Sequence, residues 1–215
     1  MAQSDTVTRI VDAAAVLFSE RGFAETSLRT ITSTADVNLA AVNYHFGSKK
    51  VLIQAVFARY LTPFCEALGQ SLTELQEQHG ESITLSQLLD SLFHSLLSIQ
   101  ASGEGEIQRF MRLLGLAFTQ SQAHLRRFMM QEYGQFYARF IELLSIAAPK
   151  MDPVAFYWRL YFMLGATVFT LSSFESIKAI LKEDFDKDTS LHQAIELLIP
   201  AARGLIAVDD TATQG

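Results

Sequence analysis

Asn43, Tyr44 and His45 follow one another on one side of a short predicted helix, and their polar tips suit bases and phosphates. Ala40 and Ala41 beside them are small enough for close approach. Leu39, Val42 and Phe46 recur at helical spacing on the other side and give that helix an apolar seat. Asn38 is its N-cap and Gly47 its stop; Ser48 caps the next helix, where Lys49 and Lys50 put positive charge beside the N-terminus. Upstream, Thr26 and Ser27 are good N-caps for a helix carrying Leu28, Ile31 and Ala35. Asp36-Val37-Asn38 is a polar turn with one apolar plug. Two short helices joined this way make a helix-turn-helix, whose second helix fits the major groove of DNA. A plain αα-corner has the same outline, so the pattern alone leaves a purely structural turn open.

The other residues capable of chemistry form weaker patterns. His45, His79, His94, His124 and His192 show no metal-style pairing at i,i+3 or i,i+4 and no Glu-x-x-His, so no metal site is expected. No Gly-x-Ser-x-Gly and no phosphate-cradling glycine loop occur, and neither a catalytic constellation nor a cofactor is expected. The second half is rich in rings: Phe110, Phe118, Phe128, Phe136, Trp158 and Phe162 are among them. With Leu114 and Met163 they predict an apolar cavity for a hydrophobic ligand, against the plainer alternative of an aromatic core. Arg109 and Arg112, three apart, share a helix face and suit an acidic head group; reaching solvent or acidic neighbours is the alternative.

The elements that must hold these groups are helical throughout. A first helix runs from about Thr6 to Arg21, with Gly22 just past its end, and a long fourth helix begins at 49 and bends near Pro63. Thr84–Ile99, Ile107–Gln120, His124–Ala147 and a span from Pro153 to about Lys182 follow, the last opening on a proline suited to a first turn. Leu191–Val208 closes the series, kinked at Pro200; dimerisation is expected in the last two long helices, about 153–182 and 189–208, with Leu191, Ile195, Leu198 and Leu205 near one face of the final one. The pattern predicts an all-α protein in three parts: a DNA-binding domain over 1–50, a ligand-binding and dimerisation domain over 51–208, and a flexible tail over 209–215.

Composition bounds the setting. Hydrophobic residues make up 49% of the 215, enough for a sizeable core, and the single cysteine, Cys65, precludes an intramolecular disulfide. Residues 1–9 lack the pattern of a signal peptide, and no uncharged apolar run is long enough to span a bilayer; Leu160–Ser172 reads as a buried helix. A cytoplasmic protein is the expectation. The net charge of −6 divides into +1 over residues 1–60 and −7 beyond. Such a chain holds DNA through a small footprint and cannot coat it.

Tyr44-His45-Phe46-Gly47-Ser48-Lys49, with Ala13–Phe23 and Thr26–Ile31, resembles the DNA-binding domain of TetR-family repressors over roughly residues 6–55. The resemblance implies that Tyr44 and His45 face DNA, that Phe46 packs inward and that Lys49 meets a phosphate. Thr26, Ser27, Ala40, Ala41 and Asn43 are expected to line the same contact. Phe110–Phe118 and Ser121–Arg127 are similar to PsrA-like members of that family. This implies a homodimeric repressor of fatty-acid metabolism genes, released from a palindromic operator by a long-chain fatty acid or acyl compound. Arg109, Phe110, Arg112, Leu114, Phe118, Phe128, Phe136, Trp158, Phe162 and Met163 are then the expected ligand residues. Two alternatives stand: the same fold binding DNA without a small effector, and a helical enzyme or carrier with an accidental helix-turn-helix.

Overall fold

Gly22 sets the first structural break. Its φ of +84° and ψ of 167° interrupt α1 (Ala2–Glu25) near its end, in a region essentially reserved for glycine. The computed structural model describes residues 2–101, 103–120 and 122–207, with the side chains of residues 2–4 and Glu81 outside that description; the expected tail, 209–215, also lies outside it. The described residues contain no strand. After α1 come α2 (Leu28–Thr34), α3 (Leu39–Phe46), α4 (Lys49–His79), α5 (Leu85–Ser95), α6 (Leu97–Gln100), α7 (Glu106–Thr119), α8 (Ala123–Ala147), α9 (Pro153–Ser172), α10 (Phe174–Phe185) and α11 (Leu191–Ala207). The all-α expectation is met.

Residues 1–63 and 109–133 form one compact unit, and residues 64–108 and 134–215 a second. The chain therefore passes between units within α4, α7 and α8, and residue 50 lies inside the first unit. The core of the first unit is built on Ile10, Phe18, Phe23, Ile31, Val42, Leu52 and Phe57, all at most 2% exposed. Each buried side chain of this size contributes roughly 1.5–3 kcal/mol. Phe110 of α7 joins this core, its ring stacked 5.2 Å from that of Tyr60. In the second unit α11 packs on α5 and α9, with Leu88, Leu89, Phe93, Leu171, Ile195 and Ile206 buried.

Several helix ends are capped by nearby side chains. The Thr84 and Gln87 side chains form a reciprocal capping box on α5, and Asp152 Oδ1 accepts from the Val154 and Ala155 amides ahead of Pro153. Three expectations need correction. The helix foreseen over 84–99 is two pieces, α5 and α6, parted at Leu96. The span 153–182 is likewise broken at Ser173 (φ −100°, ψ 10°), where the Ser172 hydroxyl donates to the Phe169 carbonyl and the Ser173 amide takes the same carbonyl. Leu160–Ser172 is not a buried helix: α9 turns Tyr161, Phe162 and Phe169 outward. By length and composition alone α4 and α9 could each cross a membrane, but α4 carries Arg59 and Glu66 and α9 carries Arg159, so neither is the uncharged apolar run that was not expected.

Candidate nucleic-acid interface

The helix-turn-helix is assembled from caps within three or four residues of the groups they serve. Ser27 Oγ accepts from the Thr30 amide at 3.1 Å and starts α2; Asn38 Oδ1 accepts from the Ala41 amide at 2.8 Å and starts α3. Gly47, at φ +67°, ends α3 with its amide on the Asn43 carbonyl, and Ser48 Oγ accepts from the Val51 amide to open α4. Val42 and Phe46 seat α3 in the core, leaving Ala40, Asn43 and Tyr44 exposed and Ala41 and His45 half-buried. Tyr44 is 76% exposed, an unusual position for a ring of its size, and the His45 ring stands edge-on to it at 5.0 Å. Ala40, Asn43 and Tyr44 thus face solvent on α3, where an edge of a base pair or a phosphate can approach, and Ser27 is exposed at the start of α2.

Arg9 is the residue that sequence reasoning missed. Its guanidinium reaches from α1 to donate to the Ala35 and Asp36 carbonyls, 2.6 Å each, and lies 3.5 Å from the Asp36 carboxylate. Asp36 has φ +51°, the left-handed conformation that reverses the chain between α2 and α3. Arg9 therefore braces the turn that fixes the angle of α3. No signal nearby in the sequence foretold this, because 26 residues separate the partners. Lys49 sits half-buried with Nζ 3.4 Å from the Ala24 carbonyl. Burial lowers its pKa from the ordinary lysine range, and the Glu25 carboxylate opposes that shift.

Thr26 requires a correction. Its side chain is fully buried, and its hydroxyl lies 2.8 Å from the Gly22 carbonyl and 3.2 Å from that of Leu17. It ties the end of α1 to the start of α2, because the reversal at Gly22 leaves these carbonyls without their helical partners. It is not on the exposed surface with Ser27.

The model of bacterial regulatory proteins of the tetR family matches residues 10–56, and that of the tetracyclin repressor-like C-terminal domain matches residues 90–204. The chain belongs to the TetR family. Among its relatives is the HTH-type transcriptional repressor Rv3405c of Mycobacterium tuberculosis, 34% identical over 88 residues, which are 41% of this chain and 43% of that protein. YttP of Bacillus subtilis, described as a probable HTH-type transcriptional regulator, is 29% identical over 87 residues, 40% and 42% of the two chains. The chain thus matches less than half the length of these curated relatives. A TetR family transcription regulator from Marinobacter aquaeolei VT8 shares the fold over 97% of this chain and 100% of its own, with a TM-score of 0.64 and 17% identity.

In this TetR-family chain the expected ligand residues are divided. Arg109, Phe110, Arg112, Leu114, Phe118 and Phe128 belong to the first unit, and Phe136, Trp158, Phe162 and Met163 to the second. Leu114 and Phe128 are half-buried, Phe128 with its ring edge-on to Tyr133 at 6.0 Å; Arg109 is half-buried and Arg112 exposed. Met163 is buried, and Phe136 lies against α4 at Gly69. Phe110, however, is committed to stacking on Tyr60, and Phe118, Trp158 and Phe162 are all more than half exposed. Four of the ten are therefore not placed to enclose a ligand within one chain. On α9 a shallow apolar depression of about 260 Å³, lined by Pro153, Val154, Tyr157, Trp158 and Tyr161, opens to solvent.

Proposed function

We propose that this chain is a transcriptional repressor that binds a palindromic operator as a homodimer in the cytoplasm and releases it on binding a hydrophobic effector. The observation that carries the reading is the exposed face of α3, where Ala40, Asn43 and Tyr44 stand free while Val42 and Phe46 anchor the helix. Ala41 and His45 flank that face, and we assign Ser27, exposed at the start of α2, and Lys49 and Lys50 to the same contact. Such small, sequence-reading contacts fit a head of net charge +1. A long-chain fatty acid or acyl compound is the effector class, supported by the likeness of residues 110–127 to PsrA-like regulators, and genes of fatty-acid metabolism are the corresponding targets. We assign the contact with such an amphiphile to the half-buried Leu114 and Phe128, with Arg109 close in sequence.

A second reading keeps the DNA-binding and drops the effector. Phe110, Phe118, Trp158 and Phe162 favour it, since rings committed to a core or to solvent do not form an acyl tunnel. A mobility-shift titration on the DNA upstream of the chain's own gene decides both points. The repressor reading expects a saturable, sequence-selective shift, reversed by acyl compounds with a potency that rises with chain length. No selective shift overturns the repressor; a shift untouched by the whole acyl series leaves the effector-free reading.

A further inference from the structure

We propose that His94, His192 and Glu196 form a binding site for one divalent transition-metal ion of the zinc class, joining α5 to α11. The three ligand atoms lie within 4.8 Å of one another: Glu196 Oε1 is 3.0 Å from His94 Nε2 and 3.9 Å from His192 Nδ1. His192 and Glu196 are one turn apart on α11, so both project from the same face. The sequence expectation that no histidine pairs with a carboxylate at i,i+4 is thereby corrected, and the third member comes from a helix about a hundred residues earlier.

The hydrogen bonding of His94 is what distinguishes this cluster from an incidental surface contact. Its Nδ1 lies 2.8 Å from the Asp90 backbone carbonyl. A carbonyl only accepts, so Nδ1 carries the proton and, in the neutral ring, Nε2 presents its lone pair. That lone pair faces a carboxylate oxygen at 3.0 Å, two acceptors with nothing between them to share. A cation resolves the arrangement: either a second proton on the imidazole or a metal ion. A backbone carbonyl fixing the far nitrogen is also the arrangement that orients metal-bound histidines. Two imidazole nitrogens and one carboxylate oxygen are a zinc-type ligand set that leaves a position for water. Metal–ligand bonds of about 2.0–2.1 Å require donor atoms roughly 3.3 Å apart, and all three side chains are exposed enough to close the small remaining gap by rotamer changes. Beneath them the helices are already held together by packing of α5 on α11, so little backbone ordering is needed.

The test is calorimetric titration of ZnCl2 into the full chain, free of any polyhistidine tag and treated with chelator beforehand. One ion per chain is expected, with the unfolding temperature rising with free zinc. His94→Ala, His192→Ala and Glu196→Gln should each weaken binding at least tenfold; their exposure predicts unchanged far-ultraviolet circular dichroism. Co2+ in place of zinc should give visible d–d absorption without a thiolate charge-transfer band. This reading needs no variant and excludes Cys65 as the ligand. Absence of saturable uptake, affinity unchanged in His192→Ala, or a thiolate band would each overturn the proposal. So would a Glu196→Gln variant that lowers stability equally with and without zinc, which would mark the cluster as a protonated ion pair alone.

Discussion

Lys49 and Thr26 lie at neighbouring helix ends, yet their surroundings assign them opposite duties. The Lys49 ammonium rests 3.4 Å from the Ala24 carbonyl, a weak contact that a phosphate oxygen can replace with a charge-assisted one. Lys49→Ala should therefore weaken operator and random DNA alike and make the salt dependence of binding shallower by about one unit, read from titrations at several salt concentrations. An unchanged slope would remove Lys49 from the phosphate contact. Thr26→Val keeps the shape of its side chain and deletes the hydroxyl shared by the Leu17 and Gly22 carbonyls. Its expected effect is a stability loss of about 1–2 kcal/mol by urea unfolding, with the salt slope intact. Cys65 belongs with the structural residues too. Burial, aided by the Glu66 charge, pushes its thiol up to about 11, so alkylation at pH 8 should be slow in the native chain and fast in urea. Rapid native labelling would show that α4 opens around it.

At the scale of elements, the break in α1 concentrates the most demanding geometry. Gly22 adopts a conformation that L side chains rarely reach, and a Cβ there would come 2.9 Å from Gln120 Nε2, whose partner oxygen accepts the Phe23 amide at 3.2 Å. Backbone strain of about 1–3 kcal/mol outweighs the few tenths gained in helix propensity, so Gly22→Ala should lower the unfolding temperature by several degrees. A rise would mean the break is optional. This break was legible in the sequence, as were the caps at Ser27 and Asn38, because each signal lies within four residues of what it controls. The orientation of Phe46 was legible for the same reason, through its spacing from Leu39 and Val42. What escaped was the long-range pairing: Arg9 on the α2–α3 turn, Gln120 on Phe23, and His94 beside Glu196. Helical periodicity also marked α9 as apolar without telling which side faces its own chain. Its rings occur nearly all round the helix, so no polar face declared the outside.

At the scale of the whole molecule, those outward rings narrow where, between the last two long helices, association should be sought. Leu191, Ile195 and Leu198, expected at a dimer interface, are buried within their own chain, where α11 meets α5 and α9. The exposed apolar surface runs along α9 through Val154, Tyr157, Trp158, Tyr161 and Phe162, which recur at three- and four-residue spacings, and on to Phe169 two turns later, with Trp158 and Phe162 stacked at 5.9 Å. A helix of 20 residues extends about 30 Å, long enough for a continuous seam against a second copy. Covering each large ring contributes roughly 1.5–3 kcal/mol, whereas a carboxylate placed at the seam without a partner costs several. Phe162→Glu should therefore sediment as a monomer with native helix content and bind a palindromic operator far more weakly, since one recognition helix reads only a half-site. Leu198→Glu should instead destabilise the fold, because the charge would be buried in its own chain. A Phe162→Glu variant that remained a dimer would reject the α9 seam, and co-sedimentation of the parent with lipid vesicles would assign that face to a membrane.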